Sequence, residues 1–212
     1  MTCLVHFRTN TRLAVCAALA ITLTVLSCSH DDDDGAPAAQ PDLDLRTLPS
    51  GLRWIAFNNM QLPVARQGPA ADKGAVVSGF EQSPVGAALA AIHATVRMSV
   101  ALDSQWPAVT AAMLAPGPGR DEWAVLRTQI SITETPSGEM PRIAGYRVER
   151  YTPETTEVSI YTRQTDSSLT RNATTVAWQS GDWKLLIAYQ PPVSAVTAIE
   201  TMPAEAVALT PA

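Results

Sequence analysis

Apolar residues recur with a helical period through the middle of this chain and alternate with polar ones through its second half. The helical stretch opens at Ser83-Pro84. Serine caps orphan N–H groups at a helix start, and proline at the first helical position forfeits a bond that would not form anyway. Val85, Ala88, Leu89, Ile92, Val96 and Val100 then fall on one stripe. The opposite side carries Ala87, Ala91 and Ala94, small enough to let a sheet wrap closely over a helix. A second helix is predicted over 103–114 with Asp103 as its cap, ended by Pro116-Gly117-Pro118-Gly119. A third is predicted over 121–130, with Trp123, Leu126 and Ile130 at core spacing. Upstream, 51–57 reads as a first strand, and Leu62-Pro63-Val64 with Gln67-Gly68-Pro69 reads as a loop.

Beyond residue 140 the period falls to two. Ala144/Tyr146/Val148, Val158/Ile160/Thr162, Val176/Trp178 and Trp183/Leu185/Ile187/Tyr189 alternate with polar or small partners, as half-buried strands do. Ser180-Gly181-Asp182 joins the last two as a hairpin turn. Asn172-Ala173-Thr174 matches a glycosylation sequon and is read as a turn. Helices followed by an antiparallel meander predict an α+β domain, with N-terminal helices packed on a curved antiparallel sheet. The domain is placed at 45–190. The Pro/Ala/Thr/Val-rich stretch 191–212 is read as a disordered tail, with room for a short helix over 195–202.

The first 44 residues carry a different signal. Residues 1–12 contain Arg8 and Arg12 and no acid, 13–27 are apolar or small, and Val25-Leu26-Ser27-Cys28 has the form of a lipobox. A charged start and a short apolar run describe a secretory signal peptide, 1–27, too short to span a bilayer comfortably. Cys28 is then the lipidation site, and two or more acyl chains hold a protein stably on a membrane. The expected location is the extracytoplasmic face of the cell membrane. With Cys3 and Cys16 in the leader and Cys28 lipid-linked, the mature domain is expected to offer no thiol for catalysis, zinc or disulfides. Residues 28–44, with Asp31 to Asp34 and an Ala/Pro stretch, read as an acidic tether. The whole chain carries −5, and loss of Arg8 and Arg12 takes it to −7. That balance argues against nucleic-acid partners, whose phosphates call for basic side chains.

Candidate chemistry is sparse. His93, at the edge of the apolar stripe one turn from Arg97, is a general base on one reading and a hydrogen-bonded structural histidine on the favoured one. Trp123, Trp178 and Trp183 fit core or hairpin positions better than a pocket lining, and Trp54 and Trp106 are the better surface candidates. No cofactor or metal is expected.

Two stretches resemble a known group of proteins. Leu62-Pro63-Val64 with Gly68-Pro69, followed by Gly79-Phe80-Glu81-Gln82-Ser83-Pro84-Val85-Gly86-Ala87-Ala88-Leu89-Ala90-Ala91, is similar to the pattern of an uncharacterised family of actinobacterial extracytoplasmic proteins. Members typically show a leader or single anchor, a low-complexity spacer and one such domain, and many are carried on conjugative elements. Here Ser83 replaces the usual threonine and Val85 the usual glutamate. The lost helix-start carboxylate puts in question any role the resemblance would place on it. The hairpin from Trp178 to Leu185 resembles the last hairpin of cystatin-like, nuclear-transport-factor-like domains, a fold also found in scaffold subunits of type IV secretion channels.

Enzymes of that fold pair a carboxylate with a tyrosine in a cavity between helix and sheet. The resemblance therefore makes His93, Tyr146 and Tyr161 candidate pocket residues, with Asp103 of the right type. The leading expectation is a non-enzymatic, lipid-anchored interaction or scaffold domain with envelope-protein partners, accessory to a conjugative apparatus. Alternatives are a small-molecule-binding or enzymatic domain, and a surface-exclusion lipoprotein.

Overall fold

A computed structural model describes residues 44–191 and 193–209. The predicted signal peptide, Cys28 and the tether up to residue 43 lie outside the described residues. The elements in order are β1 (Arg53–Phe57), β2 (Met60–Val64), β3 (Ala71–Lys73), β4 (Val76–Ser78), α1 (Pro84–Val100), α2 (Trp106–Met113), α3 (Pro118–Arg127), β5 (Arg142–Tyr151), β6 (Thr155–Arg163), β7 (Leu169–Gln179), β8 (Asp182–Leu186), β9 (Val196–Ile199) and β10 (Val207–Ala208). The class is α+β. A six-stranded antiparallel sheet runs β10-β5-β6-β7-β8, with β9 on the same edge of β7 as β8. Two small antiparallel ribbons, β1–β2 and β3–β4, complete the strands.

Helix α1 forms as its capping signal predicts. Ser83 Oγ accepts from Gly86 N at 3.2 Å, and Pro84 opens the first turn. It is buried on nearly every side: Leu89 and Ile92 reach one face of the core, and Ala87 and Ala91 the other, all fully inaccessible. Val148, Val158, Ile160, Val176 and Leu185 supply the sheet side of that core. Ser180 (φ 55°) and Gly181 (φ 77°) form a two-residue turn between the facing pair Gln179 and Asp182, a twist that suits hairpin strands.

Several expectations are corrected. Leu62-Pro63-Val64 is strand, not loop. Pro63 is tolerated because its carbonyl points away from β1, toward His93; a strand residue's N–H and C=O share one edge, so the missing N–H falls on the unpaired side. Helix α2 starts at Trp106 and Gln105 precedes it, so Asp103 is not a cap. The Pro-Gly-Pro-Gly segment ends nothing at its second proline: Pro118 opens α3, which closes at Arg127. Leu126 (53 % exposed) and Ile130 (57 %) face outward, not into the core.

Strand β5 does not alternate cleanly. Its pairing with β6 shifts between Ile143 and Gly145 and again between Val148 and Arg150. The first bulge puts Ile143 in the core where Ala144 was expected. Asn172-Ala173-Thr174 lies in mid-strand β7 rather than in a turn, and β8 stops at Leu186, short of the alternation expected up to Tyr189. Residues 193–209 are ordered into strands where a disordered tail was expected, and no helix lies over 195–202. Strand β9 pairs with β7 and β10 with β5, and Val207 and Leu209 are buried. These apolar residues, spaced through a Pro/Ala-rich stretch, have too weak a local pattern to reveal a strand, and the long-range pairing decides it.

Candidate functional site

The residues from Leu62 to Ala91 on which the resemblance rests gather around the first half of α1. His93 is fully buried. Its Nε2 lies 2.9 Å from Pro63 O, and its Nδ1 is 3.5 Å from Arg97 Nε, which can only donate. That fixes the neutral tautomer: Nδ1 accepts and Nε2–H donates to the carbonyl. Burial, with the nearby Arg97 charge, lowers the pKa to about 4. Arg97 is itself buried, and Nη1 donates to Gly74 O (2.6 Å) and Ala75 O (3.0 Å). Its guanidinium sits 4.2 Å from the Phe57 ring centroid, a cation–π contact. One turn of α1 thus clamps both ribbons, β2 through His93 and the β3–β4 turn through Arg97.

The turn that precedes α1 is held from the opposite end of the chain. Asp182 Oδ2 accepts from Gly79 N (3.0 Å), and Oδ1 accepts from Phe80 N (3.1 Å) and Trp183 N (3.0 Å). Trp183 Nε1 donates to Glu81 O at 2.9 Å. Phe80 then packs on His93 with ring centroids 5.7 Å apart. Close approach excludes side chains here. A Cβ on Gly68 would lie 2.7 Å from Phe80 Cδ1, and one on Gly86 would overlap the backbone of Glu81. The pattern Gly-Pro, Gly-Phe, Ser-Pro-Val-Gly is therefore a packing device. It leaves neither imidazole nitrogen free for proton transfer.

The three candidate pocket residues are not assembled into a pocket. His93, Tyr146 and Tyr161 are all at most 1 % exposed. Tyr146 OH donates to Thr47 O at 3.3 Å, and burial raises its pKa. Tyr161 lies on the opposite face of the sheet from the α1 core, next in register to Gly145 and Arg171, and burial raises its pKa also. None of the three lines the cavity at the sheet edge or the one beside the start of α1. Asp103 accepts from Ile132 N (3.0 Å), Ser131 Oγ (2.8 Å) and Arg127 Nη2 (3.1 Å), so it fastens the segment after α3. These bonds, the backbone one first, hold its carboxyl below the usual range. Trp106 and Trp123 pack edge to face at 6.1 Å beneath Arg127, and Trp178 and Trp183 do so at 5.3 Å on the hairpin.

What the structure does open is a cavity of about 420 Å³ at a fork in the sheet. Strand β8 leaves β7 after the pair Thr175–Leu186, and β9 joins it at Asn172–Val196, so the edge splits between them. Met98, Leu185, Ile187 and Val196 line one part, and Glu149, Glu157, Ser159 and Arg171 another. The polar part is a cross-strand chain. Ser159 Oγ donates to Glu149 Oε1 (2.7 Å) and accepts from Arg171 Nε (3.0 Å), while Arg147 Nε lies 3.2 Å from Glu149 Oε2. Glu149 joins it because the second bulge of β5 inserts an extra residue there and re-aims its side chain. Sequence reading passed over these four residues. The only local signal is the charge of Arg147, Glu149 and Arg171 on strand positions, which is ordinary for a solvated face, and Ser159 gives none.

A second cavity of about 280 Å³ lies beside the start of α1, lined by Glu81, Ser83 and Tyr151 among others. Among the described residues no group of His, Cys, Asp and Glu is arranged to hold a metal ion, and no helix is long and apolar enough to cross a membrane.

No curated protein and no solved structure matches the chain. A family model does match, over residues 24–205, which takes in the clamped start of α1, the forked sheet and most of the segment after β8. The chain belongs to that family, described as a domain of unknown function, DUF8175.

Proposed function

We propose that this protein is a lipid-anchored interaction domain on the outer face of the cell membrane, binding envelope proteins rather than turning over a substrate. The observation that carries the reading is the outer surface of α3 and of the turn that follows it. Val125 (63 % exposed), Leu126 (53 %) and Ile130 (57 %) point outward, while Trp123 and Arg127 face the fold. An amphipathic helix that turns apolar side chains to water marks a contact site for a partner. The engagement of both His93 nitrogens supports a non-catalytic role for the residues around the start of α1. The lipobox ending at Cys28 supports the anchor. The resemblance to actinobacterial proteins of conjugative elements, and to cystatin-like scaffold domains, supports a place beside a transfer apparatus.

The test is in-cell photocrosslinking from position 126, with position 163 at the far end of β6 as control. Envelope proteins are expected from position 126 alone, and Leu126→Asp is expected to remove them. Equal recovery from both positions, or none from 126, would overturn the interaction reading. Cys28→Ala is expected to release the protein from the membrane fraction; unchanged attachment would overturn the anchor.

A further inference from the structure

We propose that the cavity, which opens through the sheet fork and is lined from both faces, binds an aliphatic carboxylate that passes the split edge of β7, with the apolar body against Met98, Leu185, Ile187 and Val196 on the α1 side and the carboxylate on Arg171 on the other. This site is separate from the α3 surface, and its occupancy does not depend on a protein partner. The volume, about 420 Å³, falls in the range of small-ligand sites, roughly 300–1,000 Å³.

Charge selects the ligand's head. Three charged side chains line the cavity, and both acids are already answered. Glu149 pairs with Arg147 at 3.2 Å, and Glu157 with Arg150 at 3.6 Å. Arg171 makes no ion pair among the described residues. Its Nε–H goes to Ser159 Oγ at 3.0 Å, and no described residue accepts from its Nη groups. The Ser159 hydroxyl, inaccessible and committed to Glu149, fixes the guanidinium in place. A guanidinium so held presents parallel N–H donors that match a carboxylate. Holding the fork in advance lowers the ordering cost of binding.

Apolar side chains select the body. Leu186 (43 % exposed) and Val196 (50 %) line the cavity, and Tyr189 (54 %) lies on the segment between them. Their exposure costs free energy in water that an aliphatic chain would recover. A neutral amphiphile would leave Arg171 unanswered, and a cationic one would meet it directly.

The test uses the full chain in zwitterionic lipid nanodiscs, with methyl-labelled methionine and empty discs as blank. Decanoate, decanol and decyltrimethylammonium are titrated, and each free concentration is measured after partition into lipid. Decanoate is expected to shift the Met98 methyl signal saturably. Arg171→Gln should weaken it about tenfold or more, the loss typical of a charge-assisted hydrogen bond. Arg171→Lys, which keeps charge but not the fork, should fall between. Decyltrimethylammonium should bind at least as weakly as decanoate binds to the glutamine variant. The proposal is overturned if Met98 does not respond beyond the blank, if Arg171→Gln binds decanoate as the parent does, or if the cation binds equally well.

Discussion

The start of α1 and the sheet fork are built on opposite terms. Around α1, His93 and Arg97 are closed off and every hydrogen-bonding nitrogen noted above has a protein partner, while glycines at 68 and 86 leave no space for a side chain. At the fork, space remains, apolar side chains meet water and Arg171 keeps donors in reserve. Gly68, Gly79 and Gly86 fall in the first region, where each is committed to packing, while the open space and the donors in reserve lie in the second.

This contrast can be broken by mutation. The largest effect is expected from Gly86→Ala. Its methyl meets backbone that cannot move aside, so urea unfolding should show a loss of about 3 kcal/mol or more. A near-neutral result would mean that the helix start is looser than its contacts imply.

Acid is the next probe. His93 takes up a proton with pKa about 4 in the fold against an ordinary 6.5, so the unfolded chain binds more protons between those values. A group depressed in this way makes stability fall as pH drops from 6.5 toward 4, and the fall levels off below 4. The contribution is on the order of 3 kcal/mol for a fully buried imidazole. Unfolding curves at pH 7 and 4.5 should differ more for the parent than for His93→Gln, which keeps a donor to Pro63 O but does not titrate. Equal pH slopes would show that His93 is not the group responsible.

Asp182→Asn should cost about 1.5–3 kcal/mol, because the carboxylate's charge-assisted bonds to Gly79 N and Phe80 N weaken. Amide exchange at those two residues should speed up together; protection unchanged at both would remove Asp182 from the clamp.

The smallest effect sharpens the comparison. Arg171→Gln is expected to leave stability within about 0.5 kcal/mol, as exposed substitutions do. Thermal unfolding checks this. A loss as large as that of Gly86→Ala would make the fork part of the same structural device and not a separate site.

Legibility followed the range of the physics. The α1 start was readable because a serine cap, an N1 proline and a stripe from Val85 to Val100 act within a few residues of one another. The Ser180-Gly181 hairpin was readable for the same reason. Asp103 misled because an aspartate before an apolar run is a cap in most settings, whereas Arg127, Ser131 and the Ile132 N–H compete for it from across the fold. Leu126 and Ile130 misled because helical spacing says which residues share a face, not which way that face turns. Pro63 misled because a ribbon edge tolerates a missing donor.

The sequence by itself determined the α+β class, the capped helix and the antiparallel meander, all set by local propensity and periodicity. Only tertiary structure decided the rest. The β5 bulges, the joining of β9 and β10 to distant strands and the line-up of Glu149, Ser159 and Arg171 depend on pairing register, and one extra residue in a strand changes which side chains meet. The fork exists because the consecutive strands β8 and β9 both pair with one edge of β7 but at different ends of it, and where each pairing stops is decided only when the sheet has formed.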